Sequence, residues 1–305
     1  VRKAIFIVNP VARGIPAAAK LETAIVWLEA QGWESEIQHT SYPGHATELA
    51  RRAAAAGCEV VVACGGDGTV NETINGLAGT ETALAVVVGG TANVWAKEMG
   101  ISREPIEAVR LVAEGIRRRV DLGLVEGDEG EQRYFLLMAG VGLDAFVVKR
   151  VPARVKRWLG AATYLVWGLR ESLRFRPEET SVTFDGERTT GEVGWLLASN
   201  TRSYGGVINI APEALVDDGL LDVLLFEGHG LGTVLADAWR VFRKRYTARG
   251  VTKRRVSRIE LSAPAPLDCQ VDGEVLTFAP RLMRVAPLSL AVMMPAGLKS
   301  PLFSS

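Results

Sequence analysis

An apolar run, Val60-Val61-Val62-Ala63-Cys64, breaks at Gly65-Gly66-Asp67-Gly68-Thr69 and resumes as Val70-Asn71-Glu72-Thr73-Ile74-Asn75-Gly76. That order predicts a strand, a tight glycine turn and a helix. The closely spaced glycines permit positive φ and let a ligand approach the backbone. The helix that follows aims its unpaired N–H groups back at the turn, which suits phosphate. Asp67 complicates this picture. A carboxylate among phosphate-binding amides repels a polyphosphate, so it calls for a divalent cation, a bridge through metal-bound water, or a hydrogen bond to a loop amide or hydroxyl. The expectation is a nucleotide-phosphate site with an associated Mg²⁺. Thr69 and Glu72 also have the spacing of a capping box, in which Thr69 caps the helix and Glu72 reciprocates, so a structural role for Glu72 stays open beside a functional one.

The same strand-then-helix alternation runs through the first part of the chain. Residues 4–8 are apolar and end at Asn9-Pro10 before a helical segment over 16–31. Residues 34–40 read as a second strand ending at Thr40, followed by a helix over 47–56 with His45 as a capping residue. Residues 82–88 form a fourth strand that ends in Gly89-Gly90-Thr91-Ala92-Asn93, then come a helical turn over 94–99 and a helix over 104–114. Such alternation predicts an α/β domain with a doubly wound parallel sheet, whose ligand lies outside the carboxyl ends of the strands. All four loops sit at such ends.

Beyond residue 125 the pattern becomes mostly β, with single strands expected over 134–142, 180–185, 194–200, 220–226, 258–262, 267–271 and 284–286, as in a sandwich. Helical insertions are expected over 152–175 and 231–246. The apolar segment 288–294 is expected to return to the first domain. The division is therefore 1–125 with 288–305, and 126–287. A chain of 305 residues supports two cores, since single cores seldom exceed roughly 250 residues. With 35 basic and 35 acidic residues there is no global pull toward nucleic acid, and 48% apolar content excludes a disordered chain. Cys58, Cys64 and Cys269 lack metal-ligand spacing and are expected to be buried thiols. No signal-peptide pattern opens the sequence and no apolar run reaches transmembrane length, so the expectation is a cytoplasmic protein with peripheral membrane association. There is no GxxxxGK[ST], no GxGxxG after the first strand and no GxSxG, and His39, His45 and His229 have no nucleophile at a recognisable spacing.

Six motifs occur in order: Gly65-Gly66-Asp67-Gly68-Thr69-Val70-Asn71-Glu72, Gly90-Thr91-Ala92-Asn93, Asp121-Leu122-Gly123, Gly140-Val141-Gly142-Leu143-Asp144-Ala145, Asp218-Gly219-Leu220-Leu221-Asp222 and Gln270-Val271-Asp272-Gly273-Glu274. Over essentially its whole length the chain resembles the soluble diacylglycerol kinase family, which includes bacterial lipid kinases and, more distantly, sphingosine and ceramide kinases. The resemblance implies an N-terminal domain like that of NAD kinases and phosphofructokinases, a C-terminal β-sandwich, and an active site in the cleft between them. It places ATP on Asn9, Thr40, Gly65, Gly66, Asp67, Gly68, Thr69, Asn71, Glu72, Gly90, Thr91 and Asn93. It assigns Asp67 and Asp121 to an acid and water network around a catalytic Mg²⁺. It offers Glu274 as the base, with Asp272 as the alternative; by pattern alone, Asp272-Gly273 is a hairpin turn. Asp218 and the backbone oxygen of Leu220 match a second metal site. Leu215 stands where some relatives have an oxygen ligand, so Asp217 or Glu213 compensates or the site is empty. Val94 stands where several members carry an acid.

The implied substrate is a lipid. Lys149, Arg150, Arg154, Lys156 and Arg157 precede Trp158, and Arg240, Arg243, Lys244, Arg245, Arg249, Lys253, Arg254 and Arg255 form a second basic cluster. Basic residues beside tryptophan suit an anionic membrane surface, although a solvated helix face has the same composition. No nucleic-acid recognition motif is present. The oligomeric state is open, a homodimer being one option. Two rival readings remain: a soluble-substrate kinase resembling NAD kinase, and a lipid- or nucleotide-binding protein with weakened catalysis.

Overall fold

The computed structural model describes residues 2–150, 175–206, 208–227, 251–297 and 300–304. The helices expected over 152–175 and 231–246 lie outside the described residues, apart from Phe175. Two compact units emerge: Val1–Leu122 with Val216–Asp218 and Pro287–Ser305, and Gly123–Leu215 with Gly219–Ala286.

In the first unit the short apolar runs become β1 (Arg2–Val8), β3 (Val60–Gly65) and β4 (Ala83–Val88), and the more polar β2 (Trp33–His39) lies at the edge. β1 pairs in parallel with β2 and β3, β3 with β4, and β4 with Ala291 and Val292 of the last strand, β17 (Leu282–Met294). The order β2-β1-β3-β4-β17 reverses direction after β1. Right-handed crossovers then put α1 (Ala18–Ala30) on one face and α2 (His45–Ala55) and α3 (Asp67–Leu77) on the other. The packing agrees: α1 lies against α5 (Pro105–Glu114), and α2 against α3. With both faces covered, β3 and β4 are buried at every residue, which is why they read as continuous apolar runs rather than alternating ones. Gly76 lets α2 and α3 touch; a Cβ there would lie 2.5 Å from the Thr47 carbonyl oxygen.

The second unit is antiparallel. β9 (Glu187–Ser199) pairs with β7 (Met138–Gly142), β8 (Glu178–Phe184) and β12 (Leu221–Glu227); β8 also pairs with β14 (Arg258–Ser262), and β7 with β15 (Cys269–Val271). Alternate residues of these strands, among them Val182, Phe184, Ile259, Leu261, Val223 and Leu225, form its core with the fully buried Phe135. Gly123 is small because of that ring, since a Cβ there would lie 1.9 Å from the Phe135 Cζ.

Four local expectations are corrected. The stretch 134–142 is not one strand but β6 (Gln132–Phe135) and β7, because the N–H groups of Leu136 and Leu137 turn away from a ladder toward the Asp272 carboxylate. An unanticipated helix, α6 (Leu143–Arg150), follows β7. Segments 284–286 and 288–294 belong to one strand, β17, which contains Leu288 at φ 45°. Lys253, Arg254 and Arg255 lie on an unanticipated strand, β13 (Val251–Val256).

Candidate functional site

In the first unit, the loops after β1, β3 and β4 form one hydrogen-bonded cluster. Gly89 N–H donates to the Gly65 carbonyl at 2.8 Å, and Gly14 N–H to the Gly89 carbonyl at 2.9 Å. Asn9 Nδ2 donates to Thr69 Oγ1 at 3.1 Å, tying the end of β1 to α3. None of Gly65, Gly66, Gly68, Gly89 or Gly90 has positive φ. The glycine-rich turn serves close approach instead: a Cβ on Gly90 would lie 2.7 Å from Gly66 Cα, and one on Gly89 2.9 Å from Gly65 Cα. Asn93 locks the two glycine pairs together. Its Oδ1 accepts from Gly90 N–H at 2.8 Å and its Nδ2 donates to the Gly65 carbonyl at 3.0 Å, with the side chain buried and the backbone left-handed at φ 44°. Arg103, which no sequence pattern singled out, donates to the Gly90 carbonyl at 3.0 Å.

Asp67 is the first residue of α3 rather than part of the turn. Its carboxylate accepts the N–H groups of Asn93 at 2.8 Å and Val94 at 2.7 Å, so it holds the start of the short helix α4 (Val94–Glu98). Among the ways of accommodating this acid, hydrogen bonding to loop amides is the one present. Burial pushes its pKa up, while these amides and Lys97 oppose the shift. The capping-box expectation for Thr69 and Glu72 is corrected: Gly66 is the N-cap and makes no side-chain cap bond. Glu72 instead accepts the N–H of Ala46 at 3.1 Å, in the first turn of α2. His45 opens α2, its Nδ1 accepting from Ser41 N–H at 3.1 Å.

The other expected nucleotide residues differ in accessibility. Thr91 is exposed, Thr40 and Asn9 are half-buried, and Asn71 is fully buried within α3. Asp121 is also fully buried, its Oδ1 accepting from Leu288 N–H at 2.7 Å. Asp67 and Asp121 thus hold different backbone segments.

In the second unit, Asp272 and Gly273 are both left-handed, at φ 48° and 89°, and join β15 to β16 (Glu274–Val275) as a two-residue hairpin. Asp272 accepts three backbone N–H groups, from Leu136 and Leu137 at 2.9 Å and Met138 at 3.0 Å. Glu274 is 45% exposed and pairs with Arg133 at 3.2 Å. Two buried side chains that no sequence reading assigned a role stand behind the turn: Gln270 and Asp144, joined at 2.6 Å.

The side chains around Asp67 do not fit a resident metal ion. Both oxygens of Asp67 already accept amide protons, and among the described residues no group of three His, Cys, Asp or Glu side chains could hold one. Of the two residues offered as substitutes for Leu215 beside Asp218, Asp217 accepts from Ser304 N–H at 2.7 Å and Glu213 is ion-paired with Lys253. A Mg²⁺ that keeps its waters and arrives on nucleotide phosphates makes no such demand. The described members of the basic clusters are largely neutralised: Lys149 pairs with Asp268, Lys253 with Glu213, Arg254 with Glu187 and Arg255 with Asp222. Arg154, Lys156, Arg157, Trp158, Arg240, Arg243, Lys244, Arg245 and Arg249 lie outside the described residues. Among the described residues no helix is long and apolar enough to cross a membrane. Burial raises the pKa of all three thiols, as expected of inert cysteines.

A parallel unit with its loops gathered at the carboxyl edge and an antiparallel β unit are the parts of an NAD kinase-like fold. Crystal structures of a diacylglycerol kinase and a candidate diacylglycerol kinase from Bacillus anthracis strain Sterne share that fold. Their TM-scores are 0.71 and 0.79 at 20% and 23% identity, each covering 97% of this chain and 97% and 99% of theirs. The diacylglycerol kinase catalytic domain matches residues 3–125, and the YegS C-terminal NAD kinase beta sandwich-like domain matches residues 138–294. The diacylglycerol kinase of Bacillus subtilis (strain 168) is 30% identical over 90% of each chain. A protein of Pseudomonas putida named as a YegS-like lipid kinase is 33% identical over 93% of this chain and 92% of its own. The chain belongs to the diacylglycerol kinase and YegS-like lipid kinase family.

Proposed function

We propose that the protein is a lipid kinase that moves the γ-phosphate of ATP to a hydroxyl of diacylglycerol or a related lipid, with Mg²⁺ carried on the nucleotide. The observation that carries this reading is the single hydrogen-bonded cluster of loops after β1, β3 and β4, at the edge where doubly wound sheets bind ligands, in a lipid-kinase chain. The nucleotide phosphates lie against these loops and the first turn of α3. Asp67 shapes the site by holding the Asn93–Val94 backbone. From the second unit, Glu274 takes the proton of the lipid hydroxyl as its oxygen bonds to the γ-phosphorus. The bond to the bridging oxygen breaks, leaving ADP and a phosphomonoester. Asp272, whose oxygens already hold three amides, anchors the turn. With labelled ATP and diacylglycerol in mixed micelles, label is expected in the lipid fraction; label released only as free phosphate contradicts the reading.

A lipid- or nucleotide-binding protein with weakened catalysis is the second reading. It is favoured by Val94 in place of an acid and by the absence of an acidic trio among the described residues. Access to a bilayer lipid calls for peripheral contact with an anionic membrane from the cytoplasmic side, for which the basic residues outside the described set are the candidates. Binding to anionic vesicles is then expected to weaken as salt rises from 0.05 to about 0.5 M. Vesicle binding indifferent to salt argues against that contact.

A further inference from the structure

The Asp272-Gly273 turn asks the backbone for two successive left-handed residues, and the first of them carries a side chain. Asp-Gly is a favoured pair for such a turn, so its local shape follows from its own sequence, and its neighbours fix how it is oriented. Asp272 supplies one restraint through its three amide bonds. The other comes from Gln270, whose Oε1 accepts the Gly273 N–H at 2.7 Å. A glutamine amide has a donating and an accepting end, and either could point toward the turn. Asp144 decides between them. Its Oδ2 accepts from Gln270 Nε2 at 2.6 Å, which leaves Oε1 for Gly273. The other Asp144 oxygen accepts the Tyr204 hydroxyl, tying in β10 (Ser203–Tyr204). The pairing of Gly140 with Gln270 across β7 and β15 makes room for this: a Cβ on Gly140 would lie 2.2 Å from Asp144 Oδ2. Gln270 and Asp144 are 2% and 4% exposed, so water does not substitute for either partner.

We propose that Gln270, oriented by Asp144, is a positioning residue that holds the Asp272-Gly273-Glu274 turn in the shape from which Glu274 accepts the substrate proton. The inference rests on the lipid-kinase reading. Gln270→Glu sets carboxylate against carboxylate, so kcat falls about 100-fold near pH 8, the cost of a small misplacement of a reacting group. It recovers toward acid pH, where a shared proton bridges the pair. Gln270→Met keeps the volume but lacks the acceptor, and its loss does not recover at low pH.

The exchange Asp144→Asn with Gln270→Glu restores the order of donors and acceptors: the new amide at 144 accepts from Tyr204 and donates to the new carboxylate at 270, which still receives the Gly273 N–H. Its kcat returns to within about threefold of wild type, the limit of additivity for restored partners. KM for ATP stays constant in all three variants. Hydrogen exchange at the Gly273 amide accelerates about tenfold or more in both single variants and returns to the wild-type rate in the double exchange. Unchanged kcat in Gln270→Glu and Gln270→Met overturns the proposal, as does faster Gly273 exchange with normal kcat, or a double exchange no better than Gln270→Glu. If the wild type phosphorylates no lipid, the functional reading fails. Gly273 exchange then still decides whether Gln270 grips the turn, and exchange unaltered in both single variants refutes that grip.

Discussion

Glu274→Gln is expected to lower kcat about 1000-fold while leaving KM for ATP and the unfolding midpoint nearly unchanged, because a positioned general base contributes roughly 10²–10⁴-fold. The amide keeps the shape of the side chain and removes only its capacity to take a proton. Its ion pair with Arg133 is half-buried and keeps a hydrogen-bond acceptor in the amide, so the loss of charge costs about 1 kcal/mol and stability should move little. Asp272→Asn provides the contrast. One of its oxygens becomes an amide nitrogen facing the backbone donors of Leu136–Met138, so it should lose about 2 kcal/mol of stability, the cost of an unmet buried polar group, before any effect on chemistry. Steady-state kinetics beside urea unfolding separates the two. A Glu274→Gln enzyme within tenfold of wild type removes Glu274 as the base.

The second large effect is expected at Asn93. Asn93→Ala deletes both bonds that join Gly65 to Gly90, takes from the Gly90 N–H its Asn93 acceptor while the Gly65 carbonyl keeps only the Gly89 N–H, and leaves a β-carbon in a left-handed position that asparagine tolerates better. Together these cost about 3 kcal/mol. KM for ATP is expected to rise well above tenfold, since the loops proposed to hold the nucleotide lose their common anchor. Asn93→Gly relieves the backbone but not the lost bonds, so it should recover about 1 kcal/mol and little of the KM. If Asn93→Ala unfolds with wild type and keeps its KM, the two glycine pairs do not depend on this side chain.

Much of the first unit was legible in the sequence because its signals are local. Continuous apolar runs, broken by Asn9-Pro10 after β1 and by glycine pairs after β3 and β4, mark those strands and the edge at which their loops gather, and the order of six motifs marks the family. What was not legible depends on partners far away in the chain. The glycines at 65, 66 and 68 permit positive φ, yet none adopts it, and the close passage falls at Gly89 and Gly90, where a Cβ would meet the backbone of Gly65 and Gly66 more than twenty residues away, which appears in no single window. The sequence leaves open whether Asp67 meets a cation, metal-bound water or loop amides, because the amides that settle it, at Asn93 and Val94, are equally distant. Thr69 and Glu72 have the spacing of a cap, but tertiary contact overrode it: Glu72 reaches α2 instead. The break between β6 and β7 is set by Asp272, more than a hundred residues later. Asp144 and Gln270 were visible only as motif letters until β7 and β15 brought them side by side.

Phosphorylation of a lipid hydroxyl is the activity proposed for this chain, with the nucleotide on the loops after β1, β3 and β4 and Glu274 as the base. Its most direct test is transfer of labelled γ-phosphate from ATP with Mg²⁺ to diacylglycerol and related lipids in mixed micelles, beside NAD and a lipid-free control, for wild type and Asp67→Ala. Labelled phospholipid is expected with wild type, none on NAD, and a loss of about 100-fold or more in Asp67→Ala, as for removal of a group that organises the reacting geometry. Label on NAD, no lipid product, or undiminished product from Asp67→Ala would contradict it.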